Sequence, residues 1–334
     1  MSLNKRIAFG VSISWLSRVV GIFAKLLLVP ILFEHLGKEE VGAWFLLGDS
    51  QGLLTLLGFG IVPTLTRHVA LIKGESGSDI DVELNSSSME KISNLITTGK
   101  ITLRVLALFV FIIAWVSGYL FLQNLVLTSV DSQQLLLAWT FMCLGYAINV
   151  WVSYLECWLL GMGYVGWNSL FSTLTNIVTV ILSIGIVING GGILALAIIS
   201  VLVNSFHRLA LVIFISKKYI PLDKLKGKWK LERFKEIIKP AALAWLTELG
   251  AFLIARTDSY FIAASQGIGN VAAYSATHQL FANLFLVSNS VALVSPVFIS
   301  QFWRAGDLNS VHQLTCFTEQ EISVGAQSTI DVSM

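Results

Sequence analysis

Long apolar stretches separated by short polar segments dominate the pattern of residues along this chain. A helix that crosses the hydrocarbon core of a membrane needs about 20 mostly apolar residues. The stretches that reach this length run from Ile7 to Phe33, Val41 to Thr64, Ile101 to Leu125, Gln134 to Leu159, Gly166 to Ile188, Gly192 to Ser216, Pro240 to Ala263 and Val271 to Gln301. The pattern therefore predicts an all-α, polytopic membrane helical bundle of about eight transmembrane helices.

The first apolar stretch follows two basic residues, as the core of a cleaved signal peptide does. It is longer than the apolar region of about 7–15 residues in such a peptide, and it contains Arg18 and Lys25. We therefore predict that it is retained as the first helix.

Basic residues are unevenly distributed between the two sides of the predicted bundle. Of the 22 lysines and arginines, 17 lie on the side of the N-terminus, Lys38 lies on the other side, and four lie within helices. Because cytoplasmic loops are enriched in lysine and arginine, we predict a multi-pass protein of the bacterial inner (cytoplasmic) membrane with both termini cytoplasmic.

Composition supports the membrane prediction. The chain is 55% hydrophobic and 13% charged, with a mean hydropathy of +0.76, whereas an average soluble domain is about 25% charged. A net charge of +2 gives no reason to expect a nucleic-acid partner. The three cysteines and five histidines match no metal or disulfide spacing, and no catalytic motif is present, so we expect no metal, no cofactor and no enzymatic activity.

The basic segment 217–239 is the longest apolar-poor interruption and divides the chain. We predict a six-helix N-terminal lobe over 1–216, a basic cytoplasmic linker over 217–239, the first two helices of a C-terminal lobe over 240–303, and a polar cytoplasmic tail over 304–334. Residues 315–334 are polar and aperiodic, which indicates disorder or an out-of-frame end.

The two apolar blocks are related at an offset of 230 residues. Identical pairs occur at Trp15 and Trp245, Leu16 and Leu246, Gly37 and Gly267, Val41 and Val271, and Ala43 and Ala273. We therefore expect a structural repeat. A full second lobe would need about four more helices, so we expect it to be truncated unless a second chain supplies the rest.

Basic residues lie on one face of the first predicted helix. Ser14, Arg18 and Lys25 fall near a common face. One interpretation is a cavity wall that attracts an anionic group, and the alternative is an ion pair with Asp49, Glu156 or Glu248.

The fifth predicted helix has a polar face without charge, formed by Asn168, Ser172, Thr175 and Thr179. It indicates either a hydrated cavity that contacts sugars or ordinary polar packing between membrane helices.

Carboxylates at membrane depth form a further candidate set for proton coupling or ion pairing. Its members are Asp49, Glu156, Glu248 and Asp258. Glu156 lies near the cytoplasmic end of its predicted helix, where we expect a solvated cap. Arg256 is two residues from Asp258, so the two side chains point to different sides of the helix and are not expected to pair only with each other; we include Arg256 among the candidate cavity residues.

A family pattern is centred on the segment from Leu32 to Ala70. Its first part consists of Pro30, Leu36, Gly37, Glu39, Gly42, Trp44, Gly58, Gly60 and Arg67. Its second part lies in the second apolar block and consists of Asp258, Gly267 and Tyr274. The chain resembles the polysaccharide-biosynthesis branch of the multidrug/oligosaccharidyl-lipid/polysaccharide exporter superfamily, the O-antigen or Wzx-type flippases.

This resemblance implies a MATE-like two-lobe fold around a central cavity, here with a truncated second lobe. It also implies translocation of an undecaprenyl-diphosphate-linked oligosaccharide, an O-antigen or capsule repeat unit, from the cytoplasmic to the periplasmic leaflet by alternating access. Implied partners are the lipid-linked oligosaccharide, membrane lipids and other polysaccharide assembly proteins. Arg18 fits the basic cavity lining of such flippases.

Two other functions stay open from sequence. A MATE-type multidrug or cation exporter would have an anionic cavity, for which the carboxylates above are candidates. A membrane glycosyltransferase or polymerase would need a large periplasmic loop with catalytic residues, and the predicted outer segments are short.

Overall fold

The computed structural model describes residues 3–56, 58, 60–77, 84–125, 130–218, 227–288, 290–313 and 315–316. Its helices, in chain order, are α1 (Leu3–His35), α2 (Lys38–Leu56), α3 (Ile61–Gly74), α4 (Ser86–Gln123), α5 (Ser132–Val152), α6 (Tyr154–Gly161), α7 (Val165–Ile188), α8 (Ile193–Lys218), α9 (Leu231–Gln266), α10 (Ile268–Ser288) and α11 (Ser290–Ala305). No strand occurs among these described residues, so the all-α prediction is confirmed.

Five helices are long and apolar enough to cross a membrane: α4, α5, α7, α9 and the part of α8 from Ile193 to Ile215. Their outward faces carry large apolar side chains. On α4, for example, Leu108, Phe109 and Ile112 are each about 60% exposed. Such a surface is unfavourable in water and suits contact with lipid chains.

Two of the predicted spans are not continuous helices, and in that respect the prediction was wrong. The stretch 41–64 is interrupted between Leu56 and Ile61, and 134–159 is interrupted at Ser153. Apolar periodicity detects a long hydrophobic run, but it does not detect a local break within that run.

Local chemistry explains both breaks. Gly60, which precedes α3, has a left-handed backbone with a φ of 61°, a conformation that glycine adopts without strain. At the end of α5, the hydroxyl and the N–H of Ser153 both donate to the carbonyl oxygen of Val150, at 2.8 and 3.3 Å. This three-residue turn is tighter than an α-helical turn and ends the helix.

Two helices extend beyond their predicted apolar stretches into polar sequence. α4 begins at Ser86, where the Asn85 side chain accepts a hydrogen bond of 2.7 Å from the N–H of Ser88. α9 begins at Leu231, so the last part of the predicted linker is helical and Pro240 lies inside the helix. Apolar stretches mark membrane thickness, and hydrogen-bonded helices can continue past it.

Residues 308–313 of the predicted tail are also helical, and 317–334 lie outside the described residues.

The order of α9, α10 and α11 repeats that of α1, α2 and α3. α10 begins at Ile268, 230 residues after α2 begins at Lys38. Equivalent helices are in direct contact: α2 packs on α10, and α3 packs on α11. This arrangement supports the expected repeat, while the extent of each lobe stays a prediction.

Glycines allow these equivalent helices to approach at backbone distance. A side chain at Gly42 of α2 would overlap the carbonyl oxygen of Ile268 at the start of α10. A Cβ atom at Gly74, the last residue of α3, would lie 2.6 Å from the carbonyl oxygen of Gln301 on α11. Small residues at helix crossings are typical of membrane bundles, where close packing replaces the hydrophobic effect between helices.

An ionic contact joins the same helix ends. The Glu75 carboxylate, just after α3, lies 2.7 Å from Lys91 Nζ on α4 and 2.9 Å from Arg304 Nη2 on α11. The hydrogen bond from Lys91 lowers the pKa of Glu75 below its ordinary value, and Arg304 adds to the effect. Beside this contact, Gln301 Nε2 donates to the Gly161 carbonyl oxygen at 2.9 Å.

Replacement of Gly42 by valine should destabilise the bundle by about 1–3 kcal/mol or more, because overpacking must separate α2 from α10. The same substitution at Gly48, on the same helix, is the control, since a Cβ there has no neighbour within 4 Å. Thermal unfolding of both purified variants in detergent measures the difference. Equal loss at the two positions would show that helix propensity, and not the α2–α10 contact, is responsible.

Glu75→Gln should destabilise the protein at neutral pH, by less than about 1 kcal/mol because the ion pairs are partly exposed. A carboxylate with a lowered folded-state pKa stabilises the fold above its unfolded pKa, and this contribution is lost as the pH falls through the folded-state pKa. The melting temperatures of wild-type and Glu75→Gln protein should therefore differ most at neutral pH and converge in acid. A difference that is constant with pH would contradict this role.

Candidate functional site

A partly buried ion pair is the centre of a polar cluster formed by α5, α6, α7 and α8. Glu156 Oε2 on α6 lies 2.7 Å from Arg208 Nη1 on α8, and the two side chains are 25% and 14% exposed. Arg208 Nη2 also donates to Asn149 Oδ1 on α5. Asn168 Nδ2 on α7 donates to the other carboxylate oxygen at 3.2 Å. Each of the four helices therefore contributes one polar side chain.

A second polar contact joins α7 and α8 close to this pair. Thr175 Oγ1 lies 2.8 Å from His207 Nδ1, and the same hydroxyl donates to the Phe171 carbonyl oxygen at 2.8 Å. The Thr175 hydroxyl therefore joins the His207 ring of α8 to the backbone of α7. His207 and Arg208 are consecutive, so one short segment of α8 binds both α6 and α7.

This geometry corrects the expectation for Glu156. It is not a solvated helix cap, because the break at Ser153 places it in the first turn of α6, a short helix that packs against α7 and α8, where its carboxylate is paired. Its observed partner is Arg208. Arg208 is one of the four basic residues that the sequence places within helices. Helix periodicity gives the face on which such a residue lies but not the neighbouring helix.

The polar face predicted on the fifth apolar stretch, now α7, is only partly brought to the cluster. Asn168 and Thr175 reach it, whereas the Thr179 hydroxyl donates to the Thr175 carbonyl oxygen of its own helix at 2.8 Å. Ser172 is exposed. α1 packs along α7. A role of the four residues in substrate contact stays a prediction.

A cavity of about 380 Å³ adjoins the ion pair. Glu156, Arg208 and Asn149 line one side of it, and Glu248 of α9 lines another. With Glu156 and Glu248 both ionised, the cavity would contain two carboxylates and one guanidinium. Residues from the two helix breaks, Gly58, Gly60 and Ser153, also line this cavity.

A second cavity of about 460 Å³ lies between α2, α4, α5 and α9, and its lining is almost wholly apolar. Leu46 and Leu54 of α2, Trp139 of α5 and Trp245 of α9 are among its walls. Leu249, which also lines it, directly follows Glu248 in the chain. A charged cavity and an apolar cavity are therefore neighbours along α9.

The other predicted carboxylates lie at the contact of α9 and α10. Asp49 on α2 is 7% exposed and accepts a hydrogen bond of 2.7 Å from the Ser259 hydroxyl of α9. Asp258 is exposed and accepts one of 2.7 Å from the Tyr274 hydroxyl of α10. Neither residue lines the charged cavity.

The side chains of Arg18, Lys25 and Arg256 lie outside the described residues, so their predicted place in the cavity stays a prediction. Among the described residues, no group of three or more histidine, cysteine, aspartate or glutamate side chains could hold a metal ion.

Arg208→Met and Glu156→Gln should each destabilise the protein by about 3–5 kcal/mol, because each leaves one buried charged or polar group unpaired. The double variant should lose clearly less than the sum, which a double-mutant cycle of unfolding free energies would detect. Arg233 and Glu236 form the matched control, a pair with the same 2.7 Å distance on a more exposed surface. Its cycle should give less than about 1 kcal/mol. Strict additivity at Glu156 and Arg208 would reject the coupling.

Several solved structures have a fold similar to that of this chain. The MATE multidrug transporter DinF-BH, solved in complex with R6G, superposes with a TM-score of 0.81 at 11% identity, covering 100% of this chain and 73% of that chain. A multidrug resistance MATE family transporter of the MOP superfamily in an outward-facing conformation gives 0.71 at 14% identity, covering 99% and 70%. A MOP superfamily transporter from Pyrococcus furiosus gives 0.66 at 14% identity, covering 97% and 68%. The predicted MATE-like fold is confirmed.

The comparison with curated proteins finds no match. The family model described as "Polysaccharide biosynthesis protein" matches residues 7–302, from the first helix to the last turns of α11. This match covers most of the chain and confirms the family indicated by the glycine and aromatic pattern. The protein therefore belongs to the polysaccharide biosynthesis protein family.

Proposed function

We propose that the protein translocates an undecaprenyl-diphosphate-linked oligosaccharide, an O-antigen or capsule repeat unit, from the cytoplasmic to the periplasmic leaflet of the inner membrane by alternating access. The observation that carries this proposal is the family match over residues 7–302. The MATE-like fold is compatible with transport. In this proposal the protein acts as a carrier without covalent chemistry, and other polysaccharide assembly proteins are its partners.

The two neighbouring cavities support an amphipathic substrate. A lipid-linked sugar has an anionic diphosphate and polar sugars at one end and a long hydrocarbon chain at the other. The cavity with Arg208 and Asn149 offers charged and hydrogen-bonding groups, and its neighbour with Leu54 and Trp245 offers apolar walls. We infer that the polar part occupies the former and that the chain stays in apolar surroundings.

A diphosphate loses hydration free energy when it enters the protein, and positive charge must offset this loss. Buried anions are stable only when they are paired and hydrogen-bonded. Arg208 is the cationic side chain among the described residues of the charged cavity. In our proposal Arg18 and Lys25 of α1 add charge next to the polar face of α7, and Arg256 adds charge from α9. Asn168, Ser172, Thr175 and Thr179 then contact sugars.

Loss of the gene in its own host should abolish the surface glycan, and the wild-type gene should restore it, as glycan gels and immunoblots would show. Arg18→Glu should fail to restore it, because the substitution reverses charge in the proposed cavity. Lys38→Glu, at the start of α2 on the opposite predicted side, is the control and should restore it. Normal glycan in the deletion strain would reject the flippase function. Normal glycan with Arg18→Glu at normal protein levels would reject only the role of Arg18.

A second candidate is export of a cationic compound, as in the MATE-type transporters of similar fold. The supporting observation is Glu248, which adds a second carboxylate to a cavity that contains one guanidinium. In this case the deletion strain should become more sensitive to cationic drugs, and Glu248→Gln should not restore resistance. Unchanged drug sensitivity together with lost glycan would decide for the flippase.

A further inference from the structure

The chain segment that leads into α9 is bound to α4 through its backbone. The N–H of Lys228 donates to Asn94 Oδ1 at 2.7 Å, and the N–H of Lys230 donates to Thr98 Oγ1 at 3.3 Å. Gly227 lies so close to the Ser93 carbonyl oxygen that a Cβ atom there would overlap it. Because the backbone makes these contacts, the side chains of residues 228–230 are left exposed.

Those exposed side chains combine charge with an aromatic ring. Trp229 is 47% exposed and lies between Lys228 and Lys230 in sequence. Lys235 and Lys239 follow on α9, one turn apart, and both are exposed. We call Lys228, Trp229, Lys230, Lys235 and Lys239 the basic collar.

The lysines of α9 share a face with its exposed apolar residues. Leu243 and Leu246 are four and seven residues after Lys239, and they are 65% and 57% exposed. Residues at these spacings lie on one face of a helix. The face that carries Lys235 and Lys239 therefore continues into the face that we expect to contact lipid chains.

The collar lies at the edge of the apolar surface. On α4, Thr98 lies three residues before Ile101, where the exposed apolar side chains begin. On α9, Lys239 lies four residues before Leu243. These separations are about 5–6 Å of helix rise, which matches the headgroup layer of about 5–7 Å on each side of a bilayer.

Acidic neighbours only partly offset the charge of the collar. Glu90 lies 4.0 Å from Lys230 Nζ. Glu236 is paired with Arg233 at 2.7 Å, and Glu232 is exposed beside it on α9. Four lysines are thus exposed at this edge together with a tryptophan, the residue type that is enriched at membrane interfaces.

We propose that the basic collar binds the headgroup of an anionic phospholipid, with the lysine ammonium groups around its phosphate and the Trp229 indole at the boundary of the acyl chains. This site is separate from the cavities described above and does not rest on the proposed transport function. Its partner is a membrane lipid and not a soluble phosphate, because the collar continues into the lipid-facing side of α9.

Quenching of Trp229 by brominated lipid tests the site in the full chain reconstituted in nanodiscs. The Trp229 signal is the part of the fluorescence that Trp229→Phe removes. Brominated phosphatidylglycerol should quench this signal more strongly than the same fraction of brominated phosphatidylcholine. Each lysine should contribute an enrichment of about fivefold. Equal quenching by the two lipids would overturn the proposal.

Lys235→Gln combined with Lys239→Gln should remove most of the preference for phosphatidylglycerol, whereas Lys38→Gln should leave it unchanged. Glu232→Gln, on the same helix, should maintain or increase it. Molar salt should erase the preference in wild-type protein without any substitution. An unchanged preference in the double variant would overturn the proposed lipid site. If inorganic phosphate at matched ionic strength abolished the quenching, the site would instead belong to a soluble anion.

Discussion

Every backbone polar group at membrane depth must be hydrogen-bonded within the protein, because hydrocarbon provides no water to bind it. This constraint explains why nearly all the described residues are helical and why the interruptions are few. Two of the interruptions, around Gly60 and at Ser153, line the same cavity. Irregular backbone is tolerated within a membrane bundle where it borders a cavity. The helix breaks and the polar side chains therefore line the same cavity.

Close backbone contacts join the repeated helices on both sides of the interruption at Gly60. α2 meets α10 at Gly42, and α3 meets α11 at Gly74. Between helices in lipid there is little hydrophobic driving force, so the contribution of close packing grows as the backbones approach. The Glu75 contact adds a directional link at the ends of α3 and α11, where the surroundings are more exposed and the ionic contribution is smaller.

Charged side chains occur in two different surroundings in this structure. Between the helices, Glu156 and Arg208 are paired and hydrogen-bonded, as the burial of charge requires. The lysines of the collar lie at the edge of the apolar surface, where ammonium groups stay solvated and can meet lipid phosphates. An apolar cavity beside a charged one offers the two environments that the substrate we propose, an amphipathic lipid-linked sugar, would need.

The sequence by itself determined the class of fold, because a long apolar run has few structural alternatives to a membrane helix. It also determined the family and the 230-residue offset, since glycine and aromatic positions such as Gly42 and Trp44 are local signals. It did not determine the breaks at Gly60 and Ser153 or the pairing of Glu156 with Arg208. Those depend on which helices become neighbours, and Glu156 and Arg208 are 52 residues apart in the chain. Only the tertiary structure decides such a pairing, because a buried charge must be matched by whichever opposite charge the packing brings within reach.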